Sequence, residues 1–241
     1  CHAPYFSAIM MRVAIIPARG GSKRIPRKNI KDFCGKPLIA YSIQTAQQAN
    51  CFDKIIVSTD DNEIAEIAIK YGAEVPFTRP KDISNDFAST LDVIKHALTW
   101  LQMNSFNVSH TCCIYATAPF ITANAIQRGL KCLIDNHYNY TFSATTYAFP
   151  IQRALKITAN GTTEFFQPQY TDVRSQDLEE AYHDAGQFYW GLPKAFLANK
   201  PILSSHSHPI LLPREQTQDI DTMEDWAHAE ALYKIISEKK L

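Results

Sequence analysis

The chain has 241 residues, is 46% hydrophobic and carries 24 Lys+Arg against 24 Asp+Glu. That length supports one sizeable core, or one core with a small satellite lobe. The zero formal net charge weighs against nucleic acid as a partner, because neutralising backbone phosphates needs a basic excess. No apolar run reaches the ~20 residues of a membrane-spanning helix, so a membrane partner is not expected either.

Six cysteines stand at 1, 34, 51, 112, 113 and 132, with no C-x-x-C pair. In a chain this long they read as buried free thiols, which implies a reducing, cytoplasmic compartment. Residues 1–10 lack a basic segment followed by a long apolar one, so they do not read as a signal peptide. The compact pattern starts at Met11, and 1–10 are expected to be an N-terminal extension of a single domain over 11–241.

Arg12 to Pro17 is a short β-branched run, the mark of a strand buried on both faces. A polar loop from Ala18 to about Asn29 follows, and Pro37 opens a helix to about Ala49. Lys54–Thr59 reads as a second strand. Asp60 or Asp61 caps a helix with Ile64, Ile67, Ala68 and Tyr71 on one face, and Gly72 stops it. Ala73–Phe77 reads as a third strand. Ser89 with Asp92 resembles a capping box for a helix carrying Leu91, Ile94, Leu98 and Leu101. Thr111–Tyr115 is a fourth strand and 122–135 a further helix. Tyr140–Thr146 and Gln187–Leu192 read as later strands, and a last helix starts near Thr222 with Trp226, Ala229, Tyr233 and Ile236 on one face. This alternation predicts an α/β fold: one Rossmann-like, mostly parallel sheet with helices on both faces. The polar and aromatic stretch 147–183 has no helical period and is expected to be an inserted flap or dimer-contact lobe.

The first βα loop, Ala18-Arg19-Gly20-Gly21-Ser22-Lys23-Arg24-Ile25-Pro26-Arg27-Lys28-Asn29, sits where open α/β sheets bind ligands. Its two glycines would let backbone N–H groups approach an anion, and its five cations would neutralise a triphosphate. Without a counter-anion those five charges repel one another, which argues against a merely solvated loop. Neither G-x-x-x-x-G-K-[ST] nor G-x-G-x-x-G occurs, so a P-loop and a dinucleotide oxidoreductase lose support. Asp219-Ile220-Asp221, in an extended segment, directs two carboxylates to one side. Such a pair suits Mg²⁺, which keeps waters and takes phosphate oxygens, although an Asp near a helix start is also a common cap. Arg79-Pro80 and Asp86-Phe87-Ala88-Ser89-Thr90 form a third polar group, in which Ser89 reads as a helix cap.

The segment Ile16 to Ile30 closely resembles the signature loop of the CMP-sugar-acid synthetases, the cytidylyltransferase family that activates nonulosonic acids. Arg79-Pro80, Thr117-Ala118-Pro119 and Asp219-Ile220-Asp221-Thr222 fall at that family's counterpart positions, and the resemblance spans 11 to about 240. It implies a CTP-using transferase. Arg19, Lys23 and Lys28 would contact the phosphates with Ser22 and the backbone of Ala18, Gly20 and Gly21. Asn29 would help hold the nucleotide, Arg79 and Thr90 would line the cytidine, and Asp219 and Asp221 would hold Mg²⁺. Arg19, Lys23 and Asp221 would carry the catalysis. Tyr115-Ala116-Thr117-Ala118-Pro119 and His183-Asp184-Ala185-Gly186-Gln187 depart from the sialic-acid pattern; the second resembles the pseudaminic acid branch, as do Thr171, Arg174, Ser175 and Gln176. They point to Tyr115, Thr117, His183, Asp184 and Gln187 as acceptor-binding, with Arg174 for the acceptor's carboxylate and Arg153, Lys156 and Lys194 as competitors. Small-molecule substrates and a homodimer are the implied partners. Rival readings are the same chemistry on N-acetylneuraminic, legionaminic or 3-deoxy-octulosonic acid, and a non-catalytic nucleotide-binding module.

Overall fold

Burial on both faces is what the first strand demands, and it obtains it. Val13 and Ile15 enter one apolar cluster, Ala14 and Ile16 another, and all four are fully buried. The computed structural model describes residues 10–238. The expected extension, Met10 aside, and residues 239–241 lie outside the described residues.

In chain order the elements are β1 (Met11–Pro17), a short hairpin of β2 (Asp32–Phe33) and β3 (Lys36–Pro37), α1 (Leu38–Gln48), β4 (Lys54–Ser58), α2 (Asn62–Lys70) and α3 (Thr90–Met103). There follow β5 (Val108–Ile114), α4 (Ala123–Asn136), β6 (Tyr140–Thr146), a hairpin of β7 (Leu155–Ile157) and β8 (Thr163–Phe165), β9 (Tyr182–Gly191), α5 (Pro193–Leu197), β10 (Ser207–Leu211) and α6 (Met223–Glu238). The main sheet has the order β10-β6-β9-β5-β1-β4. β1 pairs in parallel with β4 and β5, and β10 with β6, while β9 runs antiparallel between β5 and β6. From β1 the chain passes first to β4 on one side and later to β5 on the other. The crevice at the carboxyl end of β1 is therefore a topological switch point, the usual ligand position in such sheets.

The expected caps form. Asp61 accepts from the Ile64 N–H, Ser89 and Asp92 make both bonds of a capping box, and the Asp225 N–H donates to Thr222 Oγ1. Gly72 ends α2 with φ +92°. Two expectations need correction, and several elements were not anticipated. Residues 73–77 form no strand: they make only isolated bridges, Ile56 with Glu74 and Thr59 with Thr78. Pro76 supplies no N–H to continue that ladder. The last sheet strand begins at Tyr182 rather than Gln187, so His183 pairs with Thr145 inside the sheet and the irregular stretch ends sooner. β10 was not anticipated, because Pro209 reads as a breaker; the strand lies at the sheet edge, where proline is tolerated. The short helix α5 and the β7–β8 hairpin were not anticipated either. Cys34, Cys51, Cys112, Cys113 and Cys132 are all free thiols, the middle pair buried within β5.

Gly191, at the end of β9, holds two large rings apart. A Cβ there would stand 2.5 Å from Tyr140 and 2.6 Å from Phe196, both fully buried. Overpacking of this kind costs roughly 1–3 kcal/mol. Gly191→Ala should therefore lower Tm by several degrees in a thermal melt, and an unchanged Tm would contradict this packing.

Candidate active site

Two buried isoleucines join segments almost 200 residues apart. Ile25 anchors the basic loop and Ile220 anchors the Asp219–Asp221 segment, and both are buried in one cluster with Phe33, Tyr41, Phe120 and Trp226. With Ile220 turned inward, Asp221 meets the loop directly. Its carboxylate lies 2.8 Å from Arg24 and 3.3 Å from Lys28, and Lys28 Nζ donates to the Ile220 carbonyl at 2.7 Å.

All five loop cations have carboxylate partners. Arg19 and Lys23 each lie 2.6 Å from Asp86; Arg24 and Lys28 share Asp221; Arg27 is held by Asp61 and Glu63. The repulsion expected of five uncompensated charges is thus relieved within the protein, and that argument for a bound anion does not stand. What favours a ligand is the space. A cavity of about 490 Å³ is lined by Arg19, Ser22, Lys23, Arg24, Lys28, Asn29, Arg79, Asp86, Thr90, Tyr115 and Thr117, among others. A second, of about 330 Å³, meets it at Tyr115 and Thr117 and is bordered by His183, Asp184, Gln187 and Asp219.

Most of the residues expected at the site therefore gather at two adjoining cavities. Four do not. Ala18 is buried and gives its N–H to Ser58. Gly20 gives its N–H to Asp60 and packs so closely on Asp61 that a Cβ would lie 2.7 Å from its carboxylate; Gly21 meets nothing and lines neither cavity. Gly20 thus lets the loop pass close to two aspartates. Arg174 lies in the 147–181 stretch, 72% exposed and held by Asp177, and lines neither cavity. Asn29 acts on the loop itself: it lines the cavity but donates to the Arg19 carbonyl at 2.9 Å.

Sequence reasoning missed Arg24 and Asp86 as site residues. Asp86 lies in a polar stretch with no helix to cap, which was the only signal, and its pairing with residue 19 is not encoded locally. The Lys23 ammonium, then the Arg19 guanidinium, hold its carboxyl below the usual range. Arg79 is nearly buried, and burial lowers its pKa. Its Nε donates to Ser84, while Nη2 has no hydrogen-bond partner among the described residues, although Asp60 lies 3.7 Å away. An arginine donor left free in a cavity wall is suited to a ligand oxygen. Gln187 Oε1 is likewise buried without a partner among the described residues, at the second cavity.

The loop's outer anchor is pH-sensitive. The Arg27 fork, with the Ile64 N–H, depresses Asp61 from 3.8 to about 2. A depressed carboxyl adds stability above its unfolded value and loses it as pH falls through the folded one. Wild-type Tm should therefore fall from pH 4 to pH 2 more steeply than that of Asp61→Asn, and equal slopes would contradict the pairing.

The family profile described as Cytidylyltransferase matches residues 13–240. A pseudaminic acid cytidylyltransferase of Campylobacter jejuni (strain 81-176) is 48% identical over 226 residues, covering 94% of this chain and 97% of that protein. A CMP-N,N'-diacetyllegionaminic acid synthase of Legionella pneumophila is 31% identical over 95% of this chain and 99% of its own. Among solved structures, a CMP:2-keto-3-deoxy-manno-octonic acid synthetase complexed with CTP superposes with TM-score 0.67 at 18% identity, over 93% of this chain and 98% of that one. That match bears out the mostly parallel α/β architecture. The chain belongs to the cytidylyltransferase family.

Proposed function

We propose that the chain transfers CMP from CTP to pseudaminic acid, giving CMP-pseudaminic acid and pyrophosphate. The observation that carries this reading is the pair of adjoining cavities, one walled by cations and one by uncharged and acidic groups, meeting at Tyr115 and Thr117. The first suits a triphosphate, and the polar groups of the second suit the hydroxyls of a sugar acceptor. The strong identity to two Campylobacter jejuni pseudaminic acid cytidylyltransferases, 48% and 46%, supports the choice of acceptor.

The acceptor's anomeric hydroxyl would attack the α-phosphorus, and the bond to the bridging oxygen of pyrophosphate would break. Such a step needs positioning and charge neutralisation more than covalent help. Phosphate oxygens would take over Arg19 and Lys23 from Asp86, and Lys28 with Arg24 would meet charge developing on the leaving group. Each such preorganised donor contributes on the order of 3 kcal/mol. Arg79 would present its free Nη2 to the nucleoside, with Ser22 and Asn29 shaping the wall.

Among the described residues no cluster of three or more His, Cys, Asp or Glu side chains is arranged to hold a metal. The donor set is the carboxylate pair Asp219 and Asp221, which fits Mg²⁺, a cation completed by water and substrate phosphates. Bound there, Mg²⁺ would supply charge neutralisation at the α-phosphate and make the attacking hydroxyl more acidic.

His183, Asp184, Gln187 and Thr117 would define the acceptor side. The test is a comparison of kcat/KM with CTP for pseudaminic, legionaminic, N-acetylneuraminic and 3-deoxy-octulosonic acids. The reading expects pseudaminic acid to lead by at least roughly 10-fold, the selectivity that one well-placed polar contact supplies; a lead by any other acid sinks the assignment. No helix among the described residues is long and apolar enough to cross a membrane. Exposed Phe149, Ile157 and Phe166 in the 147–181 stretch support a homodimer contact, which light scattering would read as twice the chain mass. Arg174 would then serve the partner's acceptor cavity.

A further inference from the structure

Of the carboxylates that neutralise the basic loop, only Asp86 lines the nucleotide cavity. Its oxygens take one cation each: Oδ1 accepts from Arg19 Nη1 and Oδ2 from Lys23 Nζ, both at 2.6 Å. Both cations line the same cavity. A carboxylate bridging an arginine and a lysine offers them the arrangement that two phosphate oxygens would offer.

What holds Asp86 differs from what holds the other acids. Asp61 also accepts from the Ile64 N–H as the cap of α2, and Asp221 follows the buried Ile220. Among the described residues Asp86 accepts only from Arg19 and Lys23, and its side chain is 41% exposed. The backbone around it does not depend on those two pairs. Asn85 Oδ1 accepts from the Phe87 and Ala88 N–H groups, and Asn85 Nδ2 donates to the Asp82 carbonyl. Ser84 Oγ donates to the Pro80 carbonyl, and the capping box of α3 begins at Ser89. A rotation of the Asp86 side chain alone therefore releases both cations while residues 84–89 keep their shape.

We propose that Asp86 is a positioning residue acting through Arg19 and Lys23: an internal stand-in for phosphate that holds both cations ready and that a triphosphate must displace in order to bind. This rests on CTP occupying the first cavity. The competition favours ligands that bring anionic oxygens to both cations. A nucleoside without phosphates displaces nothing and gains nothing when the carboxylate is removed. Exposed ion pairs contribute little each, roughly fivefold to tenfold in affinity for the two together. That is enough to set CTP affinity and too little to keep CTP out.

The test is calorimetry with CTP and with cytidine, without acceptor, on the wild type, Asp86→Asn, Lys23→Met and the double variant. Asparagine keeps the shape of the side chain and removes its charge. Asp86→Asn should bind CTP roughly fivefold to tenfold more tightly than the wild type, with no gain for cytidine. In the Lys23→Met background one of the two pairs is already gone, so the gain should shrink to about threefold or less, the coupling expected of residues in contact. An Asp86→Asn Kd for CTP within twofold of the wild type, or a weaker one, overturns the proposal. So does a gain of equal size in both backgrounds, which would mean repulsion through space rather than competition for Lys23. A cytidine gain matching the CTP gain also overturns it, because that would mean a reshaped cavity. If Asp86→Asn fails to fold, Asp86→Ala, which also lacks the charge, takes its place under the same criteria. A wild type that binds no CTP overturns the proposed function instead.

Discussion

Asp221→Asn should lower kcat by roughly 100-fold or more, with Tm unchanged within a degree or two, because a preorganised charge at a reacting phosphate is typically worth about 3 kcal/mol or more. The fold should tolerate the change. The Asp221 side chain is one-third exposed, and ion pairs of that kind add little stability. Asp225, which caps α6 through Thr222, is left intact. Asp219→Asn should fall in the same direction through the acceptor side, where Asp219 borders the second cavity. Steady-state kinetics at saturating CTP and Mg²⁺ with circular dichroism as the folding control would decide it. Near-normal turnover in both variants removes the carboxylate pair from the chemistry.

Lys28→Met should reduce kcat/KM for CTP by roughly 100-fold, the loss of one charge-assisted contact of about 3 kcal/mol. Its ammonium is one-fifth exposed, lies between the basic loop and Asp221, and is already oriented by the Ile220 carbonyl. Methionine keeps the apolar stem and removes only the charge and its donors. Because the ammonium faces both a substrate phosphate and Asp221, kcat as well as KM should suffer. A fall of less than about fivefold would mean that the nucleotide lies away from this lysine.

Locally encoded features were the legible ones. β1 is readable because fully apolar Val-Ala-Ile-Ile has few alternatives to a strand covered on both faces, and the Ser89–Asp92 box and the Asp61 cap are chemistry between residues three apart. The order in which the strands pair carries no local mark. β9 reads as a strand from Gln187 onward, but its first residues, Tyr182 to Gly186, are polar and small, and their strand character comes from pairing with Ala144–Thr146. Pro209 hides β10 for a similar reason, since only an edge position makes it acceptable.

The site divides the same way. The loop from Arg19 to Asn29 announces itself by composition, and the acid pair by alternation. The link between them is tertiary: Ile25 and Ile220 share one apolar cluster, and nothing near either residue says so. Asp86 stood in a readable polar group, but its role was hidden for that reason: it forms only when Arg19 and Lys23, far along the chain, arrive. Gly20 has a second use that its neighbours in sequence do not announce, a close backbone pass over Asp60 and Asp61.

The account turns on where a triphosphate sits, and a crystal structure of the protein soaked with CTP and Mg²⁺ measures that directly. The phosphates should lie between Arg19, Lys23 and Lys28, with Asp86 released and Asp219 and Asp221 free to hold Mg²⁺. A nucleotide bound elsewhere, with Asp86 still paired to Arg19 and Lys23, would contradict it.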